Sequence, residues 1–114
     1  MTIREVIAAA DLAQPNELEE ELKGFWLETL ERQLRQELYV THEDPPEPGA
    51  QELSAPPPYG ELYLRYLLMR IALEQGEYAR YNNASRLFDA YYRAYAGWYC
   101  RTHRPKAAAE ALKF

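Results

Sequence analysis

The chain has 114 residues, a formal net charge of −5 and 47% hydrophobic residues. That is enough for one modest core and too little for two domains, and it is too apolar for wholesale disorder. The acidic balance argues against a protein that binds nucleic acid by neutralising phosphates, and a single cysteine, Cys100, excludes an internal disulfide.

In chain order, Thr2 is placed to cap a first short helix in which Ile3, Val6, Ile7 and Ala10 recur at helical spacing. Gln14-Pro15 ends it. Asn16 then reads as an N-cap, with Glu19 completing a capping-box pattern. Leu22, Phe25, Trp26, Leu30, Leu34 and Leu38 form an apolar stripe, and Glu28, Glu31, Arg32, Arg35 and Glu37 fall mostly off it. The second helix is expected over residues 17–39.

Residues 42–58 hold six of the eight prolines, so neither helix nor central strand is expected there. The expectation is an extended, partly flexible excursion with at most a short edge ribbon. Residues 59–75 are apolar on more than one face (Leu62, Tyr63, Leu64, Tyr66, Leu67, Leu68, Ile71), as in a central helix, and Gly76 suits its C-terminal stop. Residues 77–102 carry Tyr81, Ala84, Phe88, Tyr91, Tyr95 and Trp98 at steps of three and four, the seam of a helix packed lengthwise on another. A short turn between these two helices implies an antiparallel hairpin, whose longer second arm projects by about one to two turns. The fold class expected is therefore all-α: a small helical bundle with a long antiparallel hairpin, a proline-rich loop and an extended C-terminal tail. The division expected is a helical domain over 1–103 and a tail over 104–114.

Candidate chemistry is sparse. His42 and His103 each follow a threonine, but no CxxC, HxxxH or ExxH spacing joins them into a metal site, and His103 reads as a dipole contact at a helix end. Cys100 and His103 share a helix face without an orienting third group, so Cys100 reads as partly buried and inert. No GxGxxG, GxxxxGKS or GxSxG pattern occurs. Asn82-Asn83 allows two readings, capping within a first helical turn or amide bonds to another helix or subunit. The ten tyrosines, among them Tyr59, Tyr63, Tyr66, Tyr78, Tyr81, Tyr91, Tyr92, Tyr95 and Tyr99, fit core plus subunit interface better than a base-stacking platform, which needs a basic groove. No catalytic residues and no cofactor are expected. No signal peptide and no membrane-length apolar run is recognised, so a soluble protein made in the cytoplasm is expected.

Pro57-Pro58-Tyr59-Gly60-Glu61-Leu62-Tyr63, Gly76-Glu77-Tyr78-Ala79-Arg80-Tyr81-Asn82-Asn83, Phe88, Ala90-Tyr91, Trp98-Tyr99 and Arg101-Thr102-His103-Arg104-Pro105-Lys106 together carry a resemblance. With the N-terminal MTIREVI, Pro15-Asn16, Trp26-Leu27 and Thr41-His42, the pattern resembles the head–tail connector, or neck adaptor, proteins of tailed bacteriophages. The resemblance implies a structural virion protein of the neck, assembled as a ring of about twelve copies under the portal. It implies as partners the portal protein, a stopper or tail-completion protein, and genomic DNA passing through the lumen. A C-terminal segment that engages the portal is implied as well. The chain departs from the pattern at Ala107-Ala108-Ala109-Glu110, where a more basic or glycine-containing tail is expected, while Lys113 and Phe114 keep a basic-aromatic ending. The expected subunit or portal interface is Tyr59, Tyr63, Tyr78, Tyr81, Asn82, Asn83, Tyr92, Tyr99, Arg101, His103, Arg104, Pro105, Lys106, Lys113 and Phe114. The alternative reading is a small helical protein-binding regulator or assembly factor without catalytic activity.

Overall fold

A computed structural model of the protein describes residues 1–106. Its elements are α1 (Ile3–Ala13), α2 (Glu20–Glu37), a 3-10 turn (Tyr39–Thr41), α3 (Glu61–Glu74) and α4 (Tyr78–Thr102). With no strand among the described residues, the class is all-α.

The start of α1 follows from its first residues. Thr2 Oγ1 accepts the Glu5 N–H at 3.1 Å, and the Glu5 carboxylate accepts the Thr2 N–H at 2.9 Å. This reciprocal pair satisfies two N–H groups that the helix leaves without partners, and its bonds hold the Glu5 carboxyl below its ordinary range.

Asn16 behaves differently from the expectation. It does not cap α2, which begins at Glu20 behind Glu19 and has no side-chain cap. Its Oδ1 accepts the Leu18 N–H at 3.0 Å, while its amide donates to Asp11 Oδ1 at 3.0 Å and to the Gln14 carbonyl at 2.9 Å. An asparagine side chain serves a local turn as readily as a helix start, and here the Asp11 carboxylate and the Gln14 carbonyl at the end of α1 take its donors. Lys23 joins the same corner. Its side chain is 2% exposed and its Nζ lies 2.7 Å from Asp11 Oδ1.

The core takes Val6, Ile7 and Ala10 from α1, Trp26, Leu27, Leu30 and Leu34 from α2, Leu62, Tyr63, Leu67 and Ile71 from α3, and Tyr95 and Tyr99 from α4. α3 buries residues on several sides, as its sequence implied. Gly76 then adopts φ 71°, and the Gly76 and Glu77 N–H groups bond back to the Leu73 and Ala72 carbonyls at 3.1 and 3.0 Å. This pair of bonds is a Schellman stop, and its left-handed residue is the position where a side chain would be strained.

Beyond it α4 returns antiparallel along α3. Ring and cation contacts pair Tyr66 with Phe88, Arg65 with Tyr91, and Tyr59 with both Tyr95 and Trp98, so rising numbers on one arm meet falling numbers on the other. At 25 residues α4 is about 37 Å long, most of the 49 Å long axis of the molecule. Its C-terminal end passes the start of α3 but does not stand free. Tyr95 and Tyr99 are buried there beneath Tyr39 and the segment leading into α3.

The proline-rich stretch is not an excursion in its second half. The Gln51 carbonyl accepts the Ile3 N–H at 3.0 Å, the Leu53 N–H donates to the Met1 carbonyl at 2.9 Å, and Leu53 and Ala55 are buried. Among the described residues, strand pairing is confined to isolated bridges, Thr2 with Glu52 and His42 with Pro105. Prolines stop the segment from forming a helix, but Leu53 and Ala55 still supply apolar surface that the core takes up. The first residues of the tail are also held: the Glu43 N–H donates to the Arg104 carbonyl at 2.8 Å and the Lys106 N–H to the Thr41 carbonyl at 3.0 Å.

Candidate functional site

Two features of the fold stand apart from ordinary packing, and both involve α4. The first is a hydrogen-bonded centre joining α2, the loop, α3 and α4. The Tyr95 and Tyr39 hydroxyls meet at 2.8 Å, and Tyr39 lies 2.6 Å from Ser54 Oγ. Ser54 Oγ and the Ser54 N–H both donate to the Glu31 carboxylate at 3.0 Å. Tyr63 donates to the same carboxylate through a very short bond and accepts the Ala55 N–H at 2.9 Å. Burial pushes the Tyr39, Tyr63 and Tyr95 phenols up from their ordinary range; the Glu31 charge adds to this at Tyr39 and Tyr63, and bonding to Tyr39 adds to it at Tyr95. The phenols therefore keep their protons, and through Tyr39 to Ser54 and the Ala55 N–H to Tyr63 they hold the proline-rich segment against the helices.

Next to this centre, Asp44, Pro46, Ser54, Pro56, Tyr95, Trp98, Tyr99 and His103 line a cleft of about 160 Å³. Tyr99 is 1% exposed, and among the described residues its buried hydroxyl has no hydrogen-bond partner. His103 stacks on the Tyr99 ring at 3.8 Å and His42 meets it edge-on at 5.4 Å. The two histidines are held alike. His42 Nδ1–H donates to the Leu38 carbonyl at 2.8 Å and His103 Nδ1–H to the Tyr99 carbonyl at 3.2 Å, since a carbonyl only accepts. Each thus closes a helical C-terminus, the favourable dipole contact expected of His103. Among the described residues no group of three His, Cys, Asp or Glu side chains is placed to hold a metal ion.

The second feature is the first half of α4, which has no fully buried residue. Only Tyr95 and Tyr99 of the whole helix are buried. Tyr78 is 67% exposed and Leu87 46% exposed. Asn82 and Asn83 lie on the surface beside them, and no side-chain hydrogen bond joins either amide to another described residue.

The residues expected at an interface divide accordingly. Tyr78, Asn82, Asn83, Arg101, Arg104, Pro105 and Lys106 are exposed, while Tyr59, Tyr81, Tyr92 and His103 are partly buried. Tyr63 and Tyr99 are a correction: both rings are buried within the chain, Tyr63 in the core face of α3 and Tyr99 against Tyr39 of the 3-10 turn. Tyr92 is engaged within the chain by donating to Glu37 at 2.6 Å. Lys113 and Phe114, with the rest of 107–114, lie outside the described residues. Cys100 is a second correction, being exposed rather than partly buried.

Sequence reasoning did not single out Glu31, Ser54, Asp44 or Trp98 as site residues. Glu31 had a legible signal: it stands four residues after Leu27 and three before Leu34, on the flank of the apolar stripe where a carboxylate meets the core edge. No protein-family model, no curated protein and no solved structure matches the chain. The class defined by the described residues is an all-α chain with a hydrogen-bonded aromatic centre, and none of its helices is long and apolar enough to cross a membrane.

Proposed function

We propose that this chain is a structural, non-catalytic virion protein of a tailed phage: a neck adaptor that assembles as a ring of about twelve copies between the portal and the stopper or tail-completion protein. The observation that carries this reading is the half-covered α4, a 25-residue helix with two buried residues. A rod packed on one side against α3, with Tyr78, Asn82, Asn83 and Leu87 facing outward, suits lateral contact between copies. A protomer in a ring needs two different side faces, and an exposed face of this length is what such a contact consumes. The Arg101–Lys106 segment that carries part of the resemblance is also largely on the surface, where a portal would meet it. The net charge of −5 suits a lumen along which DNA slides without adhering.

The test is to mix the purified chain with its portal and follow the mixture by light scattering and electron microscopy. A ring seated on the portal is expected, and its loss on deleting residues 107–114 with helicity retained is expected of a docking tail. No complex with the portal refutes the adaptor role. A small fixed stoichiometry with some other single protein instead supports the alternative, a helical regulator.

A further inference from the structure

We infer that the cleft at the C-terminal end of α4 is a binding site for a small organic cation, an alkylammonium or guanidinium group of the kind that ends a lysine or arginine side chain. Three independent features converge on that chemistry. The wall is aromatic: Tyr95 and Trp98 stack at 6.0 Å with 23° between their planes, and His103 meets Trp98 edge-on at 5.9 Å. A cation over such faces is attracted by the ring quadrupole, most strongly at tryptophan. Asp44 brings an exposed carboxylate to the same cleft, close enough to Tyr99 for its charge to act on that phenol. Finally, Tyr99 offers an oxygen that is buried and without a partner among the described residues. A buried hydroxyl left unpaired is costly, and an N–H donor entering the cleft removes that cost.

The size agrees. About 160 Å³ accommodates the head of one side chain. Anions are disfavoured by Asp44, and a purely apolar group leaves both the carboxylate and the Tyr99 oxygen unanswered. Ser54 also borders the cleft, but its donors are already committed to Glu31, so it adds no competing attraction for an anion. This site stands whether or not the chain belongs to a phage neck.

The experiment is a titration of the full chain followed by the indole N–H resonances of its two tryptophans. The probes are n-butylammonium, the neutral n-butanol, and the tripeptide acetyl-Gly-Lys-Gly-amide. The Trp98 signal is expected to shift saturably with butylammonium at millimolar concentration while the Trp26 signal, in the core, stays in place. Asp44→Asn is expected to weaken binding about fivefold. The variant keeps the fold, since Asp44 sits at φ 53°, a conformation asparagine adopts readily. Tyr99→Phe is expected to weaken binding with no loss of stability, because it deletes an unpaired oxygen from an otherwise unchanged ring. Tripeptide binding at least about tenfold tighter than butylammonium assigns the ligand to a polypeptide partner, and equal binding assigns it to a free amine. Three results overturn the site: the same Trp98 shift with butanol, no Trp98 shift with any cation, or binding unchanged by both substitutions.

Discussion

The hydroxyls of Tyr39 and Tyr95 meet at 2.8 Å although 56 residues separate them in the chain. Tyr39 is the branch point, because its oxygen also reaches Ser54 at 2.6 Å. Replacing Tyr39 by phenylalanine removes two bonds and is expected to cost about 2 kcal/mol, against about 1 kcal/mol for Tyr95→Phe. The double variant is expected to cost less than the sum, by the energy of the shared bond. Urea unfolding of the three variants checks this; additive losses contradict a shared bond.

Glu31 accepts from the Ser54 N–H, the Ser54 hydroxyl and the Tyr63 hydroxyl. Glu31→Ala strands these donors at the base of the loop, and a loss of about 3 kcal/mol is expected. Limited proteolysis is expected to cut within 51–58 in this variant before it cuts any helix. Cleavage no faster than in the wild-type chain shows that Leu53 and Ala55 hold the loop alone.

The tyrosine centre sets an upper pH limit on stability. Tyr39, Tyr63 and Tyr95 hold their protons more tightly in the fold than an ordinary phenol, which titrates at 10.0. Above that value the unfolded chain releases these protons while the folded chain keeps them, so stability is complete below pH 10 and falls as pH rises beyond it. Unfolding free energy measured from pH 8 to pH 11 is expected to drop, with phenolate absorbance rising in step with loss of helicity for the buried rings. A flat profile contradicts this account, and Tyr63→Phe is expected to flatten part of it.

Lys23 and Asp11 make the corner between α1 and α2 an asymmetric pair, the ammonium buried and the carboxylate 41% exposed. Asp11→Ala leaves a buried charge without its partner, and a loss of about 2–3 kcal/mol is expected. Lys23→Met removes the charge and keeps the volume, so a loss below about 1 kcal/mol is expected. Thermal unfolding of both separates them; equal losses mean that the pair, rather than the stranded charge, carries the energy.

The periodic parts of the chain were legible from sequence because burial enforces them. The Thr2 cap, the Gly76 stop, the all-round apolar α3 and the antiparallel return of α4 each rest on local chemistry that one stretch of sequence displays. What was not legible depends on contacts between distant stretches. Asn16 had two local uses of similar strength, and the partners Asp11 and Gln14 decided between them. The proline count correctly excluded helix at 42–58 but is silent on whether Leu53 and Ala55 dock, since that depends on the groove they meet. For the same reason Tyr63 and Tyr99 could not be told from surface rings. Of the candidate site, the tyrosines of α4 were visible and Glu31 stood on the flank of an apolar stripe, whereas the place of Asp44 depends on how the loop folds back.

α4 is anchored unequally along its length. Its C-terminal turns are tied into the centre through Tyr95 and Tyr99, whereas residues 78–94 rest on α3, with one bond from Tyr92 to Glu37 of α2, and bury nothing fully. Opening free energy follows local contact, so amide hydrogen exchange runs faster at the hairpin tip than at its root. The outer turns of α4 therefore fray first, while its root at Tyr95 and Tyr99 keeps the hairpin moored to the rest of the fold.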